Sequence, residues 1–319
     1  MKAGRLVGPH TIGIENVSNP IPSENEVLIN LKSLSICGSD MRYFRAVLPE
    51  ENYPLAIGKP SHECAGVVIE SRNKNFKAGQ RVIVLPINQD GLAELVVSNG
   101  NRLIALPDKG DLSTLVMCQP IGTVLYACER IGSVVGKTVV VLGVGAIGLV
   151  FCHLLSMFGA KYVVSIDPIH FRLDKSLDIG ATHSFDPVND NVINEISKLT
   201  NGHMADIVVE AAGTPETVNL SIDLVKKQGI IVLFGIMQDT VIPFEHYKLT
   251  RKYPILVPTV SSATDDPTEF IKKAVKLVEQ NRLDISWLVT HQMNFTNVQK
   301  AYDMYDQRSN GVIKIVINT

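Results

Sequence analysis

The sequence predicts an α/β protein with two domains: a β-rich domain built from two pieces, and a doubly wound parallel sheet inserted between them. Three observations indicate this arrangement. From residue 11 to about 107, short apolar runs alternate with Gly, Pro and Asn, as in irregular all-β domains. From 123 to about 260, apolar strands alternate with helical patterns. The tail 311–318 is again strand-like, so we expect it to return to the first domain.

The apolar patterns predict individual elements. The predicted domains are 1–122 with 262–319, and 123–261. Strands of the first domain are expected at 26–36, 66–70, 81–85, 92–97 and 102–106, and strands of the second at 139–142, 163–166, 207–209 and 230–234. Helices are expected at 171–179, 192–199, 215–227 and 266–279. Pro215 after Thr214 is typical of a helix start, since proline is favoured at the first helical position.

Charge and cysteine usage exclude several classes of function. Thirty basic and 32 acidic residues give a net charge of −2, which leaves no basic excess for nucleic acid. No apolar run approaches membrane-spanning length, and the first residues lack the apolar core of a signal peptide. The five cysteines are an odd number and form no C-x-x-C pair, which is typical of reduced thiols. We therefore expect a cytoplasmic protein with neither nucleic acid nor membrane as a partner.

A glycine-rich turn follows the first strand of the second domain. The apolar run 139–142 leads into the spacing G-x-G-x-x-G, which is followed by a helical pattern and a second strand, 163–166. Such glycines permit a tight turn, close approach of the backbone to a pyrophosphate, and close packing of helix on strand, while the amides at the helix start face the phosphates. The expected cofactor-binding residues of this turn are Gly143, Gly145, Ala146, Ile147 and Gly148.

The residue that ends the second strand bears on the choice of cofactor. Asp167 lies about 20 residues beyond the glycines, where an acid hydrogen-bonds the ribose diol and repels a 2′-phosphate. Arg172 competes with this interpretation, because its guanidinium would contact a 2′-phosphate if the acid turned away. The order of strand, glycines, helix, strand and acid indicates a Rossmann domain and favours NAD over NADP. The alternative is a glycine-rich turn in some other α/β protein.

Two short segments of the β-rich domain carry metal-ligand chemistry. The first contains Cys37, Ser39 and Asp40, and the second contains His62 and Glu63. A thiolate, an imidazole and a carboxylate are donors that hold catalytic zinc while leaving one position open. Taken singly, a cysteine is more often a small buried hydrophobe and a histidine a structural residue. Their occurrence together, upstream of a dinucleotide site, favours the metal interpretation.

The chain resembles the medium-chain, zinc-type alcohol and polyol dehydrogenases over nearly its whole length. The motifs are CGSD at 37–40, HExxG at 62–66, KAGQRV at 77–82, GLAEL at 91–95, QPIGTVLYA at 119–127, GVGAIG at 143–148, SIDP at 165–168 and VVEAAG at 208–213. The resemblance implies a GroES-like catalytic domain, a Rossmann domain, hydride transfer to a nicotinamide, and cytoplasmic dimers or tetramers. It also implies Cys37 and His62 as metal ligands, Ser39 as a proton relay and Asp40 as the carboxylate that orients His62.

The sequence departs from the family pattern at two places. Many members carry a structural zinc held by four cysteines, but the corresponding stretch 84–91 has none, so we expect one catalytic zinc and no structural zinc. Where members place a third ligand, Cys or Glu before Pro, this chain has Gln119. Glucose-dehydrogenase-like members resemble it in this respect and use the Glu after the ligand His. The resemblance therefore favours Cys37, His62 and Glu63, with Gln119 as an exchangeable or water-linked partner.

The expected function is zinc-dependent hydride transfer between NAD(H) and a secondary alcohol or ketone, with a polyol, sugar or hydroxy-amino acid as substrate. One alternative is a zinc-free quinone or enoyl reductase of the medium-chain type, and another is an NAD(H)-binding sensor without turnover. Tyr43, Phe44 and Arg45 are candidates for lining the substrate cleft, the alternative being plain loop packing. We expect a homo-oligomer that associates through the outer strand near Val257, as the resemblance implies.

Overall fold

The computed structural model describes residues 1–237 and 240–319, and its chain forms two compact units. Unit 1 combines Met1–Gly122 with Thr264–Thr319, and unit 2 is Thr123–Ala263. Each unit has its own apolar core, made largely of Leu, Ile and Val side chains from the sheet faces. Within the described residues, no helix is both long and apolar enough to cross a bilayer.

Unit 1 is built around a mostly antiparallel sheet. Its N-terminal elements are β1 (Lys2–Gly8), β2 (Thr11–Asn16), β3 (Glu26–Ser35), α1 (Met41–Phe44), β4 (Glu63–Ser71), β5 (Arg81–Val84), β6 (Leu95–Asn99), β7 (Leu103–Ala105) and α2 (Leu112–Leu115). The helix α3 (Cys118–Ile131) leads from unit 1 into unit 2.

The elements of unit 2 are β8 (Thr138–Leu142), α4 (Ala146–Met157), β9 (Tyr162–Ile166), α5 (His170–Asp178), β10 (His183–Phe185), α6 (Val192–Leu199), β11 (Ala205–Glu210), α7 (Pro215–Leu224), β12 (Val225–Leu233), α8 (His246–Lys252) and β13 (Ile255–Pro258). The chain then returns to unit 1 through α9 (Glu269–Glu279), β14 (Val289–Asn294), α10 (Val298–Asp306) and β15 (Lys314–Asn318).

The sheet of unit 1 joins the two ends of the chain. Its strand order is β14-β15-β3-β4-β5-β7, with β6 also paired to β3. The tail strand β15 runs antiparallel to β3, with Val316 opposite Ser35, which confirms the expected return of the tail to the first domain. On its other side β3 pairs with β4, with Ser35 opposite Glu63. The end of β3, the start of β4 and the start of β15 therefore lie side by side at one end of these strands.

Unit 2 is a six-stranded parallel sheet in the order β10-β9-β8-β11-β12-β13. From β8 the chain moves outward to β9 and β10, and then crosses back to continue on the other side with β11. The connection after β8 therefore leads to one side of the sheet, and the connection after its neighbour β11 leads to the other side. In open α/β sheets, ligands bind outside the carboxyl ends of the strands at such a switch point.

The pattern placed most elements within a few residues of their observed bounds but extended one helix too far. The helix starts at Pro215 as predicted from the Thr-Pro pair, and the structure adds a capping box formed by Thr214 and Thr217. It ends at Leu224 rather than at 227. Val225 is extended, with ψ 142°, and pairs with Ala205 of β11. Burial of the Val225 side chain in the sheet outweighs the helical pattern of the following lysines.

Candidate active site

Sheet register brings the two metal-ligand segments together. Cys37 lies two residues beyond the end of β3. His62 directly precedes β4, whose first residue is Glu63. Because β3 and β4 are antiparallel neighbours, the end of one lies beside the start of the other. The Sγ of Cys37, a ring nitrogen of His62 and a carboxylate oxygen of Glu63 all lie within 4.8 Å of one another. Three donors of the predicted set thus converge.

Asp40 connects these segments. Its carboxylate is fully buried, and its Oδ2 accepts the amide hydrogen of Cys37 at 2.9 Å. Its Oδ1 lies 2.9 Å from Nδ1 of His62. With Nδ1 facing a carboxylate, the other ring nitrogen is the one that remains for a metal ion. This orientation, together with the thiol and carboxylate nearby, fits the donor set of a catalytic zinc site.

The hydroxyl of Ser39 lies near the ring nitrogen of His62 that does not face Asp40. Oγ of Ser39 lies 3.4 Å from Nε2 of His62. Burial lowers the pKa of His62, but the charges of Asp40 and Cys37 outweigh burial and raise that pKa well above its ordinary value. This shift favours the protonated imidazole while no metal ion is bound.

Lys314 is a charged residue beside this cluster that lies in none of the sequence motifs. Its Nζ lies 2.8 Å and 2.6 Å from the two carboxylate oxygens of Glu63 and donates to the carbonyl oxygen of Ile36 at 3.0 Å. Burial lowers the pKa of Lys314, but Glu63 outweighs burial and the net pKa is raised, so the ammonium stays charged. The signal was a single lysine in the apolar run of the tail strand, where a charge needs a buried partner.

Cys64 and Cys118 do not take part in this chemistry, whereas the role of Gln119 at the metal stays a prediction. Gln119 is half-buried in the first turn of α3, and across residues 1–237 and 240–319 its side chain forms no hydrogen bond with the three donors. Cys64 and Cys118 are buried, and burial raises the pKa of Cys118 to about 12 and that of Cys64 as well. Protonated, buried thiols of this kind act as small apolar side chains.

Two of the three candidates after the CGSD segment serve packing. Phe44 is fully buried and its ring contacts Tyr302. Arg45 donates to Asp306 of α10 at 2.5 Å. The loop-packing alternative therefore holds for Phe44 and Arg45, whereas Tyr43 is partly buried at the margin of the core.

The glycine-rich turn lies at the switch point of unit 2. Gly143 follows β8 with φ 82°, and a Cβ there would lie 2.7 Å from the side chain of Ala212. A Cβ on Gly148 would lie 2.0 Å from the carbonyl oxygen of Gly143. Gly145 precedes α4, whose first turn contains Ala146 and Ile147, and a Cβ on Gly145 would meet only Arg172, at 3.6 Å. The turn is therefore tightly packed except at Gly145, where a ligand phosphate has room to approach.

Asp167 is anchored to this turn. Its Oδ2 accepts the amide hydrogen of Val144 at 2.9 Å, and its Oδ1 accepts that of Ile169 at 2.9 Å. Nη1 of Arg172 lies 3.7 Å from Oδ2. A carboxylate has about four lone-pair sites, so these two hydrogen bonds leave capacity for a ribose hydroxyl. The structure brings the predicted acid, the predicted arginine and the glycine turn together.

A second carboxylate shapes the neighbouring loop. Glu210, at the end of β11, is fully buried, and its Oε1 accepts from the amides of Ala212 and Gly213 and from Oγ1 of Thr217, at 2.7–2.9 Å. The motif that contains Glu210 was recognised in the sequence but without a role for this residue. Its hydrogen bonds hold the loop whose Ala212 closes over Gly143.

Comparison with known proteins finds two matching family models and relatives that align over nearly the whole chain. The zinc-binding dehydrogenase model matches residues 146–280, and the alcohol dehydrogenase GroES-like domain model matches residues 23–108. An uncharacterized zinc-type alcohol dehydrogenase-like protein of Haemophilus influenzae is 26% identical over 99% of this chain and 98% of its own. Sorbitol dehydrogenase of Halalkalibacterium halodurans is 25% identical over 97% and 96%.

Among solved structures, an oxidoreductase/dehydrogenase of unknown specificity from Escherichia coli superimposes with a TM-score of 0.87 at 26% identity, covering 100% of this chain and 99% of that one. The match to the GroES-like model falls in unit 1, and the fold of unit 2 is Rossmann-like. The likeness spans both ends of the chain and both units.

Proposed function

Because this chain belongs to the zinc-type medium-chain alcohol and polyol dehydrogenase family, we propose that it transfers a hydride between NAD(H) and a secondary alcohol or ketone, with one catalytic zinc ion and no structural zinc. The observation that carries this proposal is the convergence of Cys37, His62 and Glu63 within 4.8 Å. A thiolate and an oriented imidazole beside a carboxylate have no evident use in the reduction of a C=C bond.

Each side chain of the cluster has a part in this chemistry. Zinc, when bound, supplies a Lewis acid that polarises the substrate oxygen. Cys37, His62 and Glu63 would hold the ion, and Asp40 keeps the proton of His62 on Nδ1, which leaves Nε2 as the metal-binding nitrogen. Ser39, whose Oγ lies 3.4 Å from that nitrogen, takes the proton of the substrate hydroxyl and passes it toward solvent.

The Rossmann unit holds the dinucleotide. The amides at the start of α4 face the pyrophosphate, and the room at Gly145 allows its close approach. Asp167 accepts a hydrogen bond from the ribose diol and disfavours a 2′-phosphate, which supports NAD over NADP. NAD, when bound, would supply the hydride acceptor. Arg172, 3.7 Å from Asp167, is the feature that opposes strict selectivity.

The substrate class we propose is a polyol, a sugar or a hydroxy-amino acid. The relative named sorbitol dehydrogenase supports a polyol. Where other members have a third thiolate this chain has Gln119, so the metal shell that we propose consists of Cys37, His62 and Glu63, with Gln119 as an exchangeable or water-linked partner, as in the glucose-dehydrogenase-like members.

We propose further that the protein forms a cytoplasmic homo-oligomer. The edge strand β13 of the parallel sheet exposes Ile255 and Leu256 by 60% and 37%. An apolar edge strand, paired on one side only within the described residues, favours pairing with a second copy on its outer side. All five cysteines are free thiols, which suits a reducing compartment.

A substrate screen combined with metal analysis tests the central proposal. Protein purified without chelator is assayed for zinc, and alcohols, polyols and sugars are tested with NAD and NADP by nicotinamide absorbance. We expect bound zinc and NAD-linked turnover, both lost in Cys37→Ala and retained in Cys118→Ala. Turnover that persists in Cys37→Ala without bound metal would establish a zinc-free reductase. Zinc and NAD binding without turnover of any substrate would establish a sensor.

A further inference from the structure

A cavity of about 710 Å³ lies in unit 1, remote from the metal-ligand cluster. Its walls come from the turn before β3, the loop after β4, the end of β6, strand β7 and the start of α9. Asn25 lines the cavity just before β3, whereas Cys37 lies two residues beyond the other end of that strand. Since β3 has 10 residues, the two places are about 30 Å apart. The cavity is therefore separate from the candidate active site, and its volume suits a small-molecule ligand.

Side-chain amides form most of the polar lining. Six residues contribute them: Asn25, Asn73, Asn75, Gln80, Asn99 and Asn101. Within residues 1–237 and 240–319, the side chains of Asn75, Asn99 and Asn101 form no hydrogen bond with other protein groups. Each of these amides offers two donor hydrogens and one acceptor oxygen. They can therefore pair with hydroxyl groups, which also donate and accept.

Asn73 holds the amide-bearing segments in place. Its Nδ2 donates to the carbonyl oxygen of Asn25 at 3.1 Å, and its Oδ1 accepts the amide hydrogen of Asn75 at 2.9 Å. A Cβ on Gly100 would lie 2.5 Å from Nδ2 of Asn73, so the chain after β6 passes directly against this side chain. Three segments are thus fixed around one residue. A cavity with walls fixed in this way loses little entropy when a ligand binds.

The charges at the start of α9 disfavour an anionic ligand. Asp265 and Asp266 both line the cavity, and among the lining residues that the structure describes Lys272 alone is basic. Nζ of Lys272 lies 2.9 Å from Oδ2 of Asp266, which neutralises the ammonium. Asp265 leaves a net negative charge in the cavity, and such a charge repels phosphates and carboxylates.

We propose that this cavity is a second binding site, which takes a neutral polyhydroxylated compound, that is, a sugar or a polyol. The hydroxyls of the ligand pair with the side-chain amides, and its C–H groups lie against Phe76, Leu103 and Ala105, which supply the apolar part of the lining. The inference goes beyond the proposed function and does not depend on it, because none of the metal ligands lines the cavity.

Calorimetric titration of the full-length protein tests this site. Glucose and galactose represent the sugars, sorbitol and mannitol represent the polyols, and inorganic phosphate is the anionic probe. The cavity variant combines Asn75→Ala with Asn101→Ala, two exposed side chains without hydrogen bonds, so it should fold as the wild type does. The control combines Asn294→Ala with Asn297→Ala, which removes two exposed amides of unit 1 outside the cavity.

We expect at least one sugar or polyol to bind the wild type. Its Kd should rise about tenfold in the cavity variant, because two hydrogen bonds to neutral groups are lost. The Kd should be unchanged in the control and in Cys37→Ala, which alters the metal centre alone. Ala105→Trp, which fills the cavity without removing a polar group, should abolish binding.

Three results would overturn the inference. The first is that none of the four sugars and polyols binds, and the second is phosphate binding that the cavity variant loses. The third is sugar or polyol binding that disappears in Cys37→Ala but persists in the cavity variant and in Ala105→Trp. That third result places the ligand at the metal centre, so it removes the second site while supporting the proposed function.

Discussion

Oδ1 of Asp40 lies 2.9 Å from Nδ1 of His62, while the other oxygen of the same carboxylate accepts the amide hydrogen of Cys37 at 2.9 Å. One buried side chain thus contacts both segments that carry the donors, through the backbone of Cys37 and the ring of His62. The amide of Cys37 and Nδ1–H of His62 are both hydrogen-bond donors, so a side chain at position 40 needs two acceptor oxygens to pair with both.

Asp40→Asn tests this arrangement. The amide would turn its NH₂ group toward one of two donors, so we expect zinc affinity to fall by about 10- to 100-fold. Chelator competition on the metal-free protein measures the change. Asp306→Asn, which removes a carboxylate that pairs with Arg45, is the control and should leave zinc affinity unchanged. Equal zinc affinity in Asp40→Asn and wild type would contradict the role assigned to Asp40.

Substitutions in the glycine turn should separate packing from ligand approach. Gly148→Ala places a Cβ 2.0 Å from the carbonyl oxygen of Gly143, whereas Gly145→Ala meets nothing closer than Arg172 at 3.6 Å. We expect Gly148→Ala to lower the free energy of unfolding by about 1–3 kcal/mol, with little change for Gly145→Ala. Urea unfolding measures both, and equal stability of the two variants would show that the turn adapts freely.

Asp167→Ser should shift the choice of cofactor. Loss of a charge near the 2′ position removes repulsion worth about 1–4 kcal/mol at intermediate dielectric, so the ratio of NADP to NAD affinity should rise on the order of tenfold or more. Binding of each dinucleotide is measured by calorimetry. Arg172→Ala is the complementary variant and should lower NADP affinity. An unchanged ratio in Asp167→Ser would remove this residue from cofactor selection.

Asp206 should make the stability of unit 2 depend on pH. Its Oδ1 accepts from Lys226 at 2.5 Å, and its Oδ2 accepts the amide of Thr138 at 2.8 Å. Burial raises the pKa of Asp206, but these partners outweigh burial and the net pKa is lowered. A lowered carboxyl pKa contributes stability above the unfolded pKa, and that contribution is lost as pH falls through the folded value.

We therefore expect Asp206→Asn to lower the free energy of unfolding by about 0.5–1 kcal/mol at pH 7, since the pair is partly exposed. The difference from wild type should shrink as pH falls below about 4. Urea unfolding across this pH range measures it, with the exposed Asp265→Asn as control. A difference that stays constant with pH would show that the carboxylate charge is not its cause.

Ile255→Lys should weaken self-association. A charge on the exposed edge strand β13 opposes burial of that edge against a second copy. We expect light scattering to show a smaller species than for wild type. Val135→Lys, which changes an exposed apolar residue elsewhere in unit 2, should keep the wild-type mass. A wild-type protein that is already a monomer would contradict the proposal of a homo-oligomer.

Several features followed from local sequence alone. The strand, glycine turn, helix and strand from β8 to β9 depend on neighbouring residues, and so does the helix start at Pro215 with its Thr214 cap. The donors Cys37 and His62 were recognisable because they lie in short segments whose residue types suit metal binding. The end of α7 was misplaced, because pairing of Val225 with β11 decides it and local propensity does not.

Sequence by itself determined the fold class, the glycine turn and the candidate donors, because periodicity and short motifs record local geometry. Only the tertiary structure decided that Glu63 faces Lys314, a residue 251 positions away. It also showed that Asp40 serves both donors and that Phe44 belongs to the core. Strand register across a sheet brings such residues together, and the pairing of distant strands leaves little trace in a single sequence.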